Sequence, residues 1–426
     1  MLGKKVRLIL ELKQLFEAVE FAECQKDLQA IGTPISAGAG ILPGEENSVM
    51  QTFYAKDAEV YRTLCKALER VGFRADYQNQ IADNLFGEYS KDDQRIYLYY
   101  LDTLKKIRVT QIRNGCRLRD FSYSAPAVAE SEFVFFRMAC GAEDTYLIRC
   151  CDNSWIFIDG GVADYSVYDD SLAEEVYRFM RKQSGLAENE KLVISCWFMT
   201  HAHRDHMLAF SSMIKLYHDQ IEVQRILCNP PDHTKIVKRN TSLPWFETLQ
   251  ARIVEWYPNV LFLKAQTGME LQLANVHFRI LYTQQDHIEE WYTGNPENHN
   301  LNYNNSSTVS MITIDNMKIL ELGDLFFTQD YVAPLYPLPV FECDILKVAH
   351  HYIDPHSDEF YHRLLEHRMP DYALVNALAD RESWHSQLLK QWMGERMIFG
   401  SEDEVYSFQK KGGVTEKTVY PADYYR

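Results

Sequence analysis

Leu192-Val-Ile-Ser-Cys-Trp-Phe-Met199 is apolar nearly throughout, and Thr200-His-Ala-His-Arg-Asp-His206 follows it directly. Such a run reads as a strand covered on both faces. The segment after it then sits at the strand's carboxyl mouth. Three imidazoles and one carboxylate, His201, His203, Asp205 and His206, fall within six residues. They form a dense set of nitrogen and oxygen donors, suited to zinc and similar divalent ions. In an extended segment His201 and His203 project to the same side, because side chains alternate with period two, so they can share one ion. Asp205 and His206 lie where the chain turns into a helix expected over 206–217, and can address a second ion nearby. A histidine-rich surface loop is the ordinary alternative, but this tetrad follows an apolar strand and does not lie in a polar tract.

Strand-like runs at 132–138, 145–150 and 154–158 precede this segment, with an amphipathic helix expected over 171–181. Strands are expected again at 221–228, 276–281, 308–314, 318–322, 344–348 and 371–376, and a helix near 358–366. Consecutive strands followed by strand–helix alternation predict an α/β fold, sheets covered by helices. Residues 229–270 are ambiguous. Ahead of this region, residues 1–125 read as a separate α+β module. It has a helix over 56–71 closed by Gly72, strands at 95–101 and 106–112 and a Gly/Pro-punctuated loop at 36–44. The stretch 121–131 is a candidate linker, which divides the chain into 1–125 and 126–426. The module carries no chemistry of its own, and its protein partner, or a glycan, is not identified by the sequence.

The 426 residues suffice for about two or three domains. With 44 basic and 60 acidic residues the formal charge is −16, which argues against strong general nucleic-acid binding. A small-molecule substrate fits that balance better than long nucleic acid. The nine cysteines are odd in number and scattered, so a reducing, cytoplasmic setting is expected over a disulfide framework. No stretch reaches about 18 apolar residues, so no membrane span is expected.

The tetrad resembles the His-x-His-x-Asp-His motif of metallo-β-lactamase-fold hydrolases. From about residue 132 onward the chain is similar to the soluble hydrolase domain of the competence (DNA-uptake) channel family and its free-standing relatives. The similarity runs through Gly141-Ala-Glu-Asp-Thr-Tyr-Leu-Ile-Arg149, Trp155-Ile-Phe-Ile-Asp-Gly-Gly161 and Asn304-Asn-Ser-Ser-Thr-Val-Ser310. It continues through Ile319-Leu-Glu-Leu-Gly-Asp-Leu325 and Asp344-Ile-Leu-Lys-Val-Ala-His-His351, in the family's order. The resemblance implies a four-layer αββα metallo-β-lactamase sandwich, with the N-terminal module appended. It further implies two divalent metal ions, zinc or manganese, and hydrolysis by a metal-activated water.

Carried over by residue, His201 and His203 would hold one ion, and Asp205 and His206 the other, with Asp205 also catalytic. Asp324 would bridge the two ions, and His350 would complete the second, with His351 its rival or a substrate contact. Asp159 would orient a ligand histidine. The wider fold often places another histidine after the strand that follows the tetrad's helix. Here Asn229 stands in that neighbourhood, with His233 just beyond. His385 is a candidate substrate contact, and His287 and His299 have weaker claims. A phosphodiester is the first-choice substrate. A lactone or thioester hydrolase, or a non-hydrolytic binding protein on the same fold, are the alternatives.

Overall fold

The computed structural model describes residues 28–36, 49–113, 124, 126–136, 143–161, 170–231, 243–287, 303–352, 357–378 and 388–425. The first sheet is antiparallel. Its strands run in the order Leu28–Ser36, Val49–Ala55, Lys106–Arg113, Gln94–Leu101, Asn84–Lys91, Arg74–Ile81. Helix α1 (Ala58–Arg70) lies across one face. It starts where the Asp57 carboxylate accepts the Glu59 N–H at 3.0 Å, an N-cap that satisfies one free donor of the first turn. Strand alternation gives this sheet two apolar faces. Ile96, Leu98 and Tyr100 pack under α1, while Tyr97, Tyr99 and Leu101 point the other way, into a core shared with the rest of the chain.

Two further sheets stack face to face. One has the order Leu261–Lys264, Arg225–Cys228, Leu192–Phe198, Trp155–Asp159, Thr145–Arg149, Glu132–Phe135, Glu404–Lys411, Val414–Pro421, and Ile221–Val223 also pairs with Leu192–Phe198. The other has the order Glu270–Leu273, Val276–Tyr282, Val309–Ile314, Met317–Glu321, Ile345–Lys347, Tyr372–Leu378, Met397–Gly400. Their facing residues, such as Ile156, Ile158 and Phe198 against Phe278, Ile312 and Ile345, fill the middle of the molecule. On the outer face of the first of these sheets, Trp155, Phe157 and Trp197 pack against α2 (Ser171–Ser184), α3 (Leu208–Tyr217) and α4 (Leu243–Trp256). On the outer face of the second, Leu320, Leu346 and Val375 pack against α5 (Asp358–His367) and α6 (Leu388–Met393), and against the first sheet. This is the four-layer αββα sandwich that the sequence resemblance implied.

Most of the strands expected from apolar runs are present with ends shifted by a few residues. The ambiguous stretch 229–270 contains α4 and Leu261–Lys264, while Glu404–Pro421 forms a hairpin that the sequence did not announce. The loop expected at 36–44 lies almost wholly outside the described residues. Cys65, Cys150, Cys151, Cys196, Cys228 and Cys343 are all buried. Among the described residues no helix is long and apolar enough to cross a membrane.

Strand direction is what builds the site. Leu192–Phe198 is parallel to Trp155–Asp159 and to Arg225–Cys228, so Asp159, Thr200 and Asn229 come to one edge of their sheet. In the facing sheet, Glu321, Lys347 and Leu374 stand side by side on parallel strands. Asp324, His351 and Asn376 follow them to the same end. Parallel α/β sheets present their carboxyl ends to ligands in this way.

Candidate metal centre

After Phe198 the chain leaves its strand, and a short 3-10 turn, Arg204–His206, carries Asp205 and His206 inward. His206 is fully buried and used at both nitrogens. Nδ1 lies 2.8 Å from Asp159 Oδ2, and Nε2 lies 3.0 Å from Asp324 Oδ2. Asp159 also accepts the Thr200 backbone N–H at 2.7 Å and its hydroxyl at 2.8 Å. It therefore fixes both the ring of His206 and the backbone just before His201. Its left-handed backbone (φ 57°) and the Gly160–Gly161 pair turn the chain beneath α3. A Cβ on Gly160 would lie 2.8 Å from that of Phe210, so the close seat of α3 requires glycine there.

Asp324 arrives from the opposite sheet through Gly323, which has φ 55°. A Cβ on Gly323 would meet Ser307 Cβ at 2.7 Å. The Ser307 hydroxyl lies 3.0 Å from the Asp324 backbone N–H and accepts it. His350, His351 and Tyr352 all have positive φ (45°, 53°, 60°), an uncommon run for side-chain-bearing residues. It swings His351 into the centre. His351 Nε2 lies 3.2 Å from Asp324 Oδ2 and 3.5 Å from Asp205 Oδ2, and Nδ1 lies 3.0 Å from the Asn376 carbonyl. His350 turns elsewhere, its ring 4.0 Å from that of Phe326. Of the two rivals it is thus His351, not His350, that lies beside Asp205 and Asp324, because the left-handed run breaks the alternation that a strand end would follow.

Asp205, His206, Asp324 and His351 thus converge, with one donor atom from each lying within 4.8 Å of the others. The electrostatics follow from burial and charge. Burial alone would lower the His206 pKa, but Asp324, Asp159 and Asp144 outweigh it and raise it well above the usual imidazole range. His351, likewise buried, is raised to about 10 by Asp324 and by hydrogen bonds to Asp205 and Asp324. Burial works against ionising Asp324 and Asp205, yet the two imidazoles hold both carboxyls below their ordinary range. The group demands positive charge, and its two-nitrogen, two-oxygen donor set is one a divalent ion fits.

His201 and His203 stand beside it, with His201 Nε2 3.0 Å from His203 Nδ1 and the Tyr303 ring 5.1 Å from that of His203. Burial lowers the pKa of both, so they are neutral and keep a lone pair for a ligand. Asn229 turns from the centre. Its amide donates to Ala265 O at 2.6 Å and to Gln285 Oε1, and its oxygen accepts from Gln284 and Gln285. His233, His299 and His385 lie outside the described residues, and the side chain of His287 is not described.

Two residues given no role by the sequence are central. Lys347 is fully buried, its Nζ 2.8 Å from Asp144 Oδ2, 2.6 Å from Gly323 O, 3.3 Å from Asp324 Oδ1 and 3.9 Å from Glu321 Oε1. Asp144 in turn approaches His206 Nδ1 at 3.4 Å. The available signal was a lone lysine inside an apolar strand, since buried charges come paired.

No protein-family model matches the chain, and neither does any curated protein sequence. Among solved structures it is similar to CmlA, a diiron β-hydroxylase from Streptomyces venezuelae, at 15% identity over 64% of this chain and 48% of that one, TM-score 0.32. It thus spans about half the length of that relative. A variant of the same hydroxylase aligns at 12% identity over 93% of this chain and 82% of that one, TM-score 0.38. A metallo-β-lactamase from Cronobacter sakazakii aligns at 15% identity over 65% and 87%, TM-score 0.30.

Proposed function

We propose that this chain is a metal-dependent hydrolase acting on a phosphodiester or related ester. The observation that carries this reading is the convergence of Asp205, His206, Asp324 and His351 from two sheets onto one point. Zinc or manganese is the expected ion. When bound, a divalent ion supplies Lewis-acid activation of the scissile ester and of a water molecule. The chain's own residues do the rest. Asp159 and the Asn376 carbonyl hold Nδ1 of His206 and of His351, which leaves each Nε2 facing the centre. Asp205, with 15% of its side chain exposed against 0%, 2% and 5% for its three partners, is the member that can reach substrate and hold the attacking water in line. His201 and His203, neutral and adjacent, complete the polar wall. The order of motifs resembling the competence-channel hydrolase domain supports a phosphoester, and the charge of −16 favours a small one over long nucleic acid.

The test is turnover by metal-loaded protein across phosphodiester, phosphomonoester, lactone and β-lactam substrates, with Asp324→Ala as control. Phosphodiester cleavage that chelation abolishes, that metal restores and that the variant lacks is the expected result. Bound metal without turnover of any of these substrates would favour the non-hydrolytic binding protein.

A further inference from the structure

We infer that the centre holds one tightly bound divalent ion, placed among Asp205, His206, Asp324 and His351, and that the Lys347 ammonium supplies the charge of a second. This rests on the reading of the site as a metal centre and narrows it, since the sequence resemblance implied two ions.

Three observations point the same way. The first is the inequality of the two halves. The four-residue group brings four donor atoms within 4.8 Å, whereas no group of three or more among the described residues includes His201 or His203. Those two histidines offer each other Nε2 and Nδ1 at 3.0 Å. At the neighbouring strand end Asn229 is turned to other partners, bonded to Ala265, Gln284 and Gln285.

The second is how Asp324 is used. One way for a carboxylate to bridge two ions is to give an oxygen to each. Here Oδ2 faces His206 and His351 at 3.0 and 3.2 Å, while Oδ1 faces Lys347 Nζ at 3.3 Å. The ammonium occupies the second side of the carboxylate.

The third is the other cluster of donors, Asp144, Asp159 and His206. Its imidazole nitrogen, Nδ1, is already 2.8 Å from Asp159, and Asp144 already holds Lys347 at 2.8 Å. That cluster has its cation. Lys347 is fully buried among Asp144, Asp324 and Glu321, and an ammonium so placed is a fixed unit of positive charge. A two-nitrogen, two-oxygen set for a single borderline ion suits Zn2+ best.

The experiment is Zn2+ titration of the full chain after chelator treatment, by calorimetry with elemental analysis of the gel-filtered product, and a thermal melt of every variant. The wild type should bind one equivalent tightly. His203→Ala should keep that equivalent with affinity within about tenfold, a loss no larger than removing a residue that only orients a ligand, whereas His351→Ala should lose about a hundredfold or more. Lys347→Met, wherever its melt shows a folded protein, should take up a second equivalent. Two equivalents of similar affinity in the wild type would overturn the inference, as would one equivalent lost in His203→Ala but kept in His351→Ala. A folded Lys347→Met still at one equivalent would overturn the role given to the lysine. No tight equivalent at all in the wild type would instead defeat the metal-centre reading beneath it.

Discussion

His350 and His351 show how finely a site residue is decided. They are adjacent and chemically identical, and only the backbone separates them. The left-handed run at 350–352 aims His351 at Asp324 and lays His350 on Phe326. His351→Ala should therefore abolish metal retention, and His350→Ala should retain the metal, as read by elemental analysis of the purified variants. The reverse outcome would exchange the two roles. Asp159→Ala removes the acceptor that orients His206 Nδ1, and it should cost about 10–100-fold in metal affinity while the protein stays folded. Retained affinity would reduce Asp159 to a turn residue. At this scale the tetrad was legible because four donors at ligand spacing end an apolar strand. Lys347 and Asp144 were not. A single charged side chain in a strand announces that it has a partner, but the partner lies about two hundred residues away in sequence and on the other sheet.

At the scale of elements, the apolar strands were legible because residues buried on both faces leave near-continuous hydrophobic runs. The hairpin Glu404–Pro421 was not, since its second strand is largely exposed and polar. Helix α4 carried a usable signal in Phe246, Leu249 and Ile253, spaced three and four apart and all buried, which the surrounding ambiguity hid. The Asp159–Gly161 turn sets the depth of α3. The Ala209 N–H donates to the Gly160 and Gly161 carbonyls at 2.9 and 2.8 Å. Gly160→Ala should push α3 outward and destabilise the fold by about 1–3 kcal/mol, the usual cost of overpacking, as measured by denaturant unfolding. An unchanged midpoint would mean that α3 tolerates the shift.

At the scale of the molecule, the N-terminal sheet is packed onto the sandwich by its second apolar face and by one buried ion pair. Arg108 bonds the Asp286 carboxylate, and also its carbonyl at 2.6 Å, while the Tyr99 hydroxyl donates to Asp286 at 2.9 Å. Asp286 directly follows Gln284 and Gln285, the residues that hold Asn229 at the edge of the centre. Asp286→Ala removes the carboxylate that balances a buried guanidinium and should cost about 3–5 kcal/mol, read as a lowered melting temperature. Little change would show that the ion pair is dispensable to the docking. The sequence presented the module as separable because its own helix and strands are complete. Its docking face, Phe86, Tyr97 and Tyr99, was hidden by the same alternation that completes its internal core. All three scales meet at one point, where strand ends from two sheets bring Asp205, His206, Asp324 and His351 together. Anomalous diffraction from crystals grown with Zn2+ and collected at the zinc edge measures this directly. A single strong peak among those four side chains is the predicted result, and no peak there, or a peak only at His201 and His203, would contradict it.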